Sequence, residues 1–479
     1  MKSGNCGPLA KEFVDADFGD VRLNVRLASI VAALEAKPDV GFPQAFATEA
    51  DTEAFYRFLA NKRVDFESLL APHVAATIGR MRDRGEVLVA YDTTDFVFGG
   101  QADREGLAAL KKHGHRFHGH FALAVSADGR RDALGVLDIE LWARLSESAT
   151  AQRRKGLQYI ESRKLPREQE RWGRLVTSVE KKLGSIDESV SLIHVMDSEA
   201  DDYELLAALT KENRRFVIRL CYDRRLEATT RDGKSILTKA FLAKEQPVIE
   251  HEATISGRAK KEVWHRKRAR QRAREGRRVT LSITATSVCF RAPSYSASDL
   301  PKTLNVNLVR ATEIDPSPDV EPVEWILITT ESIESEAEIL GIIDAYRARW
   351  VIEEFFRALK TGCAYETRQL ESWKTLVTAL GVFVPIAWSL LRLRTLSRDP
   401  DDASQPADLV LTAEQLEVLT LASSKPLPAT PTVRDAMLAI ARLGGHLRSN
   451  GDPGWQVLGR GYVELLSLVA GYRLSRRKM

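Results

Sequence analysis

The chain has few cysteines and little excess charge, and no export signal is expected. Its four cysteines, Cys6, Cys221, Cys289 and Cys363, are scattered. No pair has zinc or redox spacing, which excludes a disulfide framework and suits a reducing cytoplasm. No run of about eighteen apolar residues is seen, so no membrane span is expected. The opening "MKSGNCGPLAKEFVDADFGD" lacks an apolar signal core and holds acids early, so no export signal is read there. Formal net charge is only +4, which by itself does not announce a nucleic-acid binder.

What is present is ordinary globular material. The 479 residues are 44% hydrophobic and 28% charged, enough for a real core and long enough for two or three domains. Charge is unevenly spread. "GRAKKEVWHRKRARQRAREGRR" (257–278) sets many cations against Glu262 and Glu275. Such a run is either a solvated loop or an arm that meets phosphates.

Patterning divides the chain. "VRLNVRLASIVAALEA" and "EADTEAFYRFLANKR" have helical spacing, the second after a Thr48 or Asp51 cap, with a turn at "DVGFPQAF" between them. "EVLVAYDTTDFVF" is an apolar run ending at Asp92, and two strands are expected around an Asp128-Gly129 turn. "SVSLIHVMDSEADDYELLAALTKEN" reads as a buried strand ending at Asp197, then a helix. Branched and alternating runs make 215–330 β-rich, an inserted sheet subdomain between Asp197 and a later helix. Beyond Ala379 the chain turns helical, with a linker near "SRDPDDASQPAD".

The stretch "YRARWVIEEFFRALK" (346–360) holds the densest chemistry. On a helix at about 100° per residue, Tyr346, Arg349, Glu353 and Lys360 share one stripe, with Ile352, Phe355 and Leu359 broadly opposite and Glu354 turned to solvent. The stripe reads either as an exposed ion-paired face or as a metal-ligating carboxylate among phosphate-binding groups. A hard cation needs several oxygen ligands, and Asp92 and Asp197 are the candidates. Each alone is equally a turn or N-cap aspartate. Together with Glu353 they occupy the three places an RNase H-like core uses to hold two Mg²⁺ for in-line phosphoryl displacement.

The spacing Tyr, two residues, Arg, three, Glu, six, Lys resembles the signature of the insertion-sequence-four family of DDE transposases. "YDTTDF" resembles that family's first aspartate motif and "MDSEADDYELL" its second, with Ser198 where the family has arginine. The resemblance runs from about residue 10 to 470. It implies an α/β RNase H-like catalytic domain at 76–375 with a β-rich insertion at about 215–330. It also implies a helical DNA-binding domain at 1–75 and a helical dimerisation domain at 376–479.

By the same resemblance Asp92, Asp197 and Glu353 are the catalytic metal ligands. Mg²⁺ is the expected metal, with Mn²⁺ able to substitute. Tyr346, Arg349, Lys360 and Arg219 contact DNA, and Trp325 in "EWILITT" stacks on a flipped base. The implied activity is cut-and-paste transposition of DNA bounded by terminal inverted repeats. It proceeds through a hairpin, in a homodimer, in the bacterial cytoplasm beside the nucleoid. The rivals are a nuclease on the same core and a catalytically silent DNA-binding derivative. "HGHRFHGH" (113–120) reads as strand or surface histidines in preference to a Zn²⁺ site.

Overall fold

The computed structural model describes residues 9–36, 40–100, 103–107, 114–143, 168–184, 190–229, 235–255, 276–317, 322–396, 403–447 and 453–476, apart from 295, 297 and 298. The basic run, apart from 276–278, lies outside the described residues, as do His113 and residues 397–402 of the expected linker.

In chain order, three helices of twelve residues or more come first: α1 (Val21–Ala36), α2 (Glu49–Ala60) and α3 (Phe66–Arg82). Thr48 caps α2 by accepting from the Asp51 amide at 3.1 Å. Strands β1 (Glu86–Phe98), β2 (His115–Ser126) and β3 (Ala133–Trp142) follow. Then come α4 (Arg171–Gly184), β4 (Ser191–Met196) and α5 (Tyr203–Lys211). Seven strands run from β5 to β11: β5 (Arg215–Arg219), β6 (Arg225–Thr229), β7 (Ser235–Leu237), β8 (Ile249–Ile255), β9 (Arg277–Arg291), β10 (Thr303–Glu313) and β11 (Glu324–Thr329). Helices α6 (Glu336–Ala348), α7 (Trp350–Arg357), α8 (Trp373–Leu396), α9 (Ala413–Ala422), α10 (Val433–Leu443) and α11 (Trp455–Arg476) follow.

The chain forms two compact units. One comprises 1–162, 177–191 and 350–479; the other comprises 163–176 and 192–349. In the first unit β1, β2 and β3 are an antiparallel meander. The β2–β3 connection turns at Asp128 and Gly129, where Gly129 takes φ +80° and Ser126 Oγ donates to Asp128 at 2.7 Å. Helices α3 and α8 pack on β3. Trp388 of α8 donates its indole N–H to the Ala133 carbonyl at 2.7 Å, and the Arg80 guanidinium lies 4.2 Å from its ring.

Helix α8 is the most apolar of the long helices. It has the length and composition of a membrane span, with a window of mean hydropathy 1.9, yet 83% of that window is buried in the fold. Its apolar run lines the core between α3 and the sheet.

In the second unit β4 pairs parallel with β5 (Met196 beside Ile218), β5 antiparallel with β11, and β11 with β10. β10 then pairs with β9, which carries β8 and touches β6. The β-rich stretch therefore extends the ladder of β4 and is not a sheet of its own.

Candidate active site

β1 carries Asp92 as the seventh of its thirteen residues, so the strand does not end there. The apolar run stops at Tyr91, but Thr93, Thr94, Phe96, Val97 and Phe98 continue the strand, paired with His120 to His115 of β2. β-branched and aromatic residues favour this extended backbone. Asp92 Oδ1 accepts from the Thr93 amide at 2.8 Å.

Asp92 stands directly opposite Phe121. Residues opposed across an antiparallel pair project to the same face, and alternate residues along a strand repeat it. Asp92, Thr94, Phe96 and Phe121 therefore share one face. Helix α7 packs there: the Phe121 ring centroid is 5.8 Å from Phe355 and 5.2 Å from Phe356. Glu353 precedes Phe356 by three residues and lies on the same side of α7. The first unit thus brings the Asp92 face of β1 and the Glu353 side of α7 to one interface.

The stretch 346–360 is not one uniform helix. α6 ends at Ala348 and α7 spans Trp350–Arg357. Ala358–Gly362 is then a π turn, which adds a residue to the turn and moves Lys360 off the expected stripe. Lys360 Nζ donates to the Asp95 carbonyl, lies 3.5 Å from Glu366 Oε1 and sits 5.5 Å from the Phe96 ring centroid. That places its ammonium on the Asp92 face, further along β1.

Glu354 is not solvent-facing. Its side chain is 18% exposed and bridges Arg357, at 2.7 Å, and Arg394 of α8. The packing of α7 beside α8 brings in Arg394, a partner far along the chain.

The second unit gathers the other candidates. Asp197 follows β4, and its Oδ1 caps the turn 198–200 by accepting from the Glu199 amide at 2.8 Å. Arg219 ends the neighbouring β5, stands opposite Leu327 and donates to the Glu324 carbonyl at 3.3 Å. Trp325, two residues from Leu327, lies on the face of β11 that Leu327 and Arg219 share. The half-buried Trp325 ring meets the Tyr346 ring edge-on, with centroids 6.0 Å apart. Tyr346 is buried, which departs from a polar outward stripe. Asp197, Arg219, Trp325 and Tyr346 thus cluster at one end of this sheet.

Sequence reasoning passed over Asp201. It is buried, accepts from the Cys221 and Tyr222 amides at 2.7 and 2.8 Å, and pairs with Arg224. It ties the turn after Asp197 to the loop after Arg219. Its position inside "MDSEADDYELL" was the available signal.

The histidines of the 113–120 cluster that are described are strand residues. His118 Nδ1 lies 2.6 Å from Asp95 Oδ1, and His120 Nδ1 lies 2.9 Å from Thr93 Oγ1. Burial raises the Asp95 carboxyl, but the His118 bond and the nearby charges of His118, Arg116 and Lys360 together outweigh it and hold it below the usual value.

Among the described residues no three His, Cys, Asp or Glu side chains stand close enough together to hold a metal ion. Asp92 and Glu353 belong to the first unit and Asp197 to the second. The donor set, three carboxylates, has the oxygen chemistry a hard divalent cation prefers.

Residues 6–64 match the family described as Transposase DNA-binding, and residues 183–383 match Transposase DDE domain. Asp197 and Glu353 fall inside the second range, and Asp92 lies between the two. A solved structure, a piggyBac transposase synaptic complex with hairpin DNA, is similar at 9% identity and a TM-score of 0.33. The similarity covers 97% of this chain and 72% of that one. A score that low carries no argument about fold or function.

Proposed function

We propose that the chain, which matches the Transposase DNA-binding and Transposase DDE domain families, is a metal-dependent DDE transposase of the insertion-sequence-four family and moves DNA by cut and paste. The observation that carries this reading is the meeting of the Asp92 face of β1 with the Glu353 side of α7, through Phe121 and Phe356. On this reading the catalytic domain is RNase H-like. Residues 1–75 are the helical DNA-binding domain, 76–375 the catalytic domain and 376–479 the dimerisation domain.

Asp92, Asp197 and Glu353 would hold Mg²⁺, or Mn²⁺ in its place. When bound, the metal supplies activation of an oxygen nucleophile and stabilisation of the leaving oxygen. The surrounding residues orient DNA. Arg349, Lys360, Arg219 and Tyr346 meet phosphates beside the scissile bond, and the Trp325 ring, backed by Tyr346, receives a base turned out of the stack.

Water cuts one strand at the end of the terminal repeat. The freed 3′-OH attacks the opposite strand, closing a hairpin as it releases flanking DNA. Water reopens the hairpin, and the 3′-OH then displaces a 3′ oxygen in target DNA. Each step exchanges one phosphodiester bond for another or for water, so no nucleotide cofactor is required.

The test uses the inverted repeats that should bracket the coding sequence. A duplex ending in that repeat, with Mg²⁺, should be nicked at its boundary. A pre-cut end should be joined to plasmid. Asp92→Asn, Asp197→Asn and Glu353→Gln should each lower nicking about a hundredfold or more while end binding persists. Nicking without joining would identify a nuclease. Binding without nicking would identify a silent derivative.

A further inference from the structure

We propose that Glu366 is a positioning residue that holds the Lys360 ammonium ready for a DNA phosphate. The inference rests on the reading of Lys360 as a phosphate contact.

In an extended strand the main-chain groups of residues i and i+2 point to the same edge. The Asp95 carbonyl and Val97 amide are such a pair. Lys360 donates to the first, and Glu366 Oε1 accepts from the second at 2.9 Å. The two side chains lie 3.5 Å from one another and are 25% and 29% exposed. Lysine and glutamate together satisfy a stretch of β1 edge that a neighbouring strand would otherwise occupy.

This arrangement has a consequence for binding. An ammonium has three donor protons. Asp95 takes one and Glu366 attracts a second. The third has no acceptor among the described residues and is left for an incoming oxygen. A lysine stem is flexible, and ordering it before DNA arrives removes that entropic cost from binding and from the cutting step. Glu366 is itself held by the Val97 amide, so it is a fixed reference. The π turn at 358–362 brings Lys360 to this edge, and the 3₁₀ turn Tyr365–Thr367 brings Glu366.

The full-length wild type, K360A, E366A, E366Q and the K360A/E366A double variant are compared on end duplex with Mg²⁺. Single-turnover nicking and anisotropy-detected binding are both read. E366A should slow nicking about tenfold. E366Q keeps an acceptor for Val97 without the charge and should fall between E366A and wild type. In the K360A background the second substitution should add less than about twofold, because its effect passes through the lysine.

The inference is overturned by an equal loss in both backgrounds, which marks a merely structural role. It is overturned equally by no loss, or by tighter binding of E366A, which marks a carboxylate that only competes with phosphate. The thermal midpoint of E366Q checks that folding is retained. If the wild type neither nicks nor binds end DNA, the reading of the function fails and takes this inference with it. A wild type that nicks while E366A matches it sinks the inference alone.

Discussion

Glu12, 2% exposed, lies against a fully buried His73, with Nδ1 2.5 Å from Oε2. The Val136 amide donates to His73 Nε2 at 3.0 Å, so this ring is neutral and carries its proton on Nδ1. Arg80 donates to the same carboxylate at 2.7 Å. Burial pushes His73 below its ordinary 6.5, against the pull of Glu12. Burial raises Glu12, but bonds from His73 and Arg80 outweigh it and hold the carboxyl below 4.5.

Below 6.5 the unfolded chain takes up a histidine proton that the folded chain resists. Below 4.5 it takes up a carboxyl proton in the same sense. Both effects remove stability as pH falls. Unfolding midpoints should therefore decline from pH 7 towards 5 and more steeply below 4.5. His73→Gln should flatten the upper part of that decline.

At Trp325 the expectation concerns DNA. Trp325→Ala should spare the first nick and slow hairpin closure, by the loss of about 1–3 kcal/mol of base stacking. Nicked and hairpin species separate on a denaturing gel. Accumulation of nicked intermediate is the expected result, and unchanged hairpin yield would remove Trp325 from the site.

Elements are set against one another by a few buried charges and close approaches. Glu354 ties α7 to α8 through Arg394, and so holds the roll of the helix that carries Glu353. Removing one partner of this part-buried pair leaves the other charge without its hydrogen bond, at a cost of about 1–3 kcal/mol. Glu354→Ala should lower the thermal midpoint, and nicking should fall with it. Asp201→Asn should act similarly on the Asp197 turn.

Helices α10 and α11 meet at a glycine contact. A Cβ on Gly461 would stand 1.7 Å from the Ile440 carbonyl oxygen, a distance no side chain tolerates. Gly461→Ala should loosen α11, with earlier melting and faster tryptic release of a C-terminal fragment.

For the whole molecule, a net charge of +4 means that DNA binding depends on where cations sit more than on how many there are. Each phosphate neutralised steepens the salt dependence of log K by about 0.9. Arg349→Ala and Lys360→Ala should each reduce that slope by about this amount, as measured by anisotropy from 50 to 300 mM salt. Joining of paired ends should rise more than linearly with protein concentration if two copies act together.

The sequence by itself determined the local order: helices at the start, strands in the middle, the Asp128-Gly129 turn and the Thr48 cap. Those follow from periodicity and from turn and cap chemistry, which act over a few residues. Motif spacing also singled out Asp92, Asp197 and Glu353 as candidates. It did not show that β1 runs past Asp92, because register with β2 decides strand length. Nor did it show the break at Arg349 and the π turn before Lys360, since a uniform 100° step assumes one helix. Glu354, Glu366 and Asp201 acquired their roles only in the tertiary structure. Their partners Arg394, Val97 and Arg224 are distant in sequence, and packing alone brings such groups within hydrogen-bonding reach.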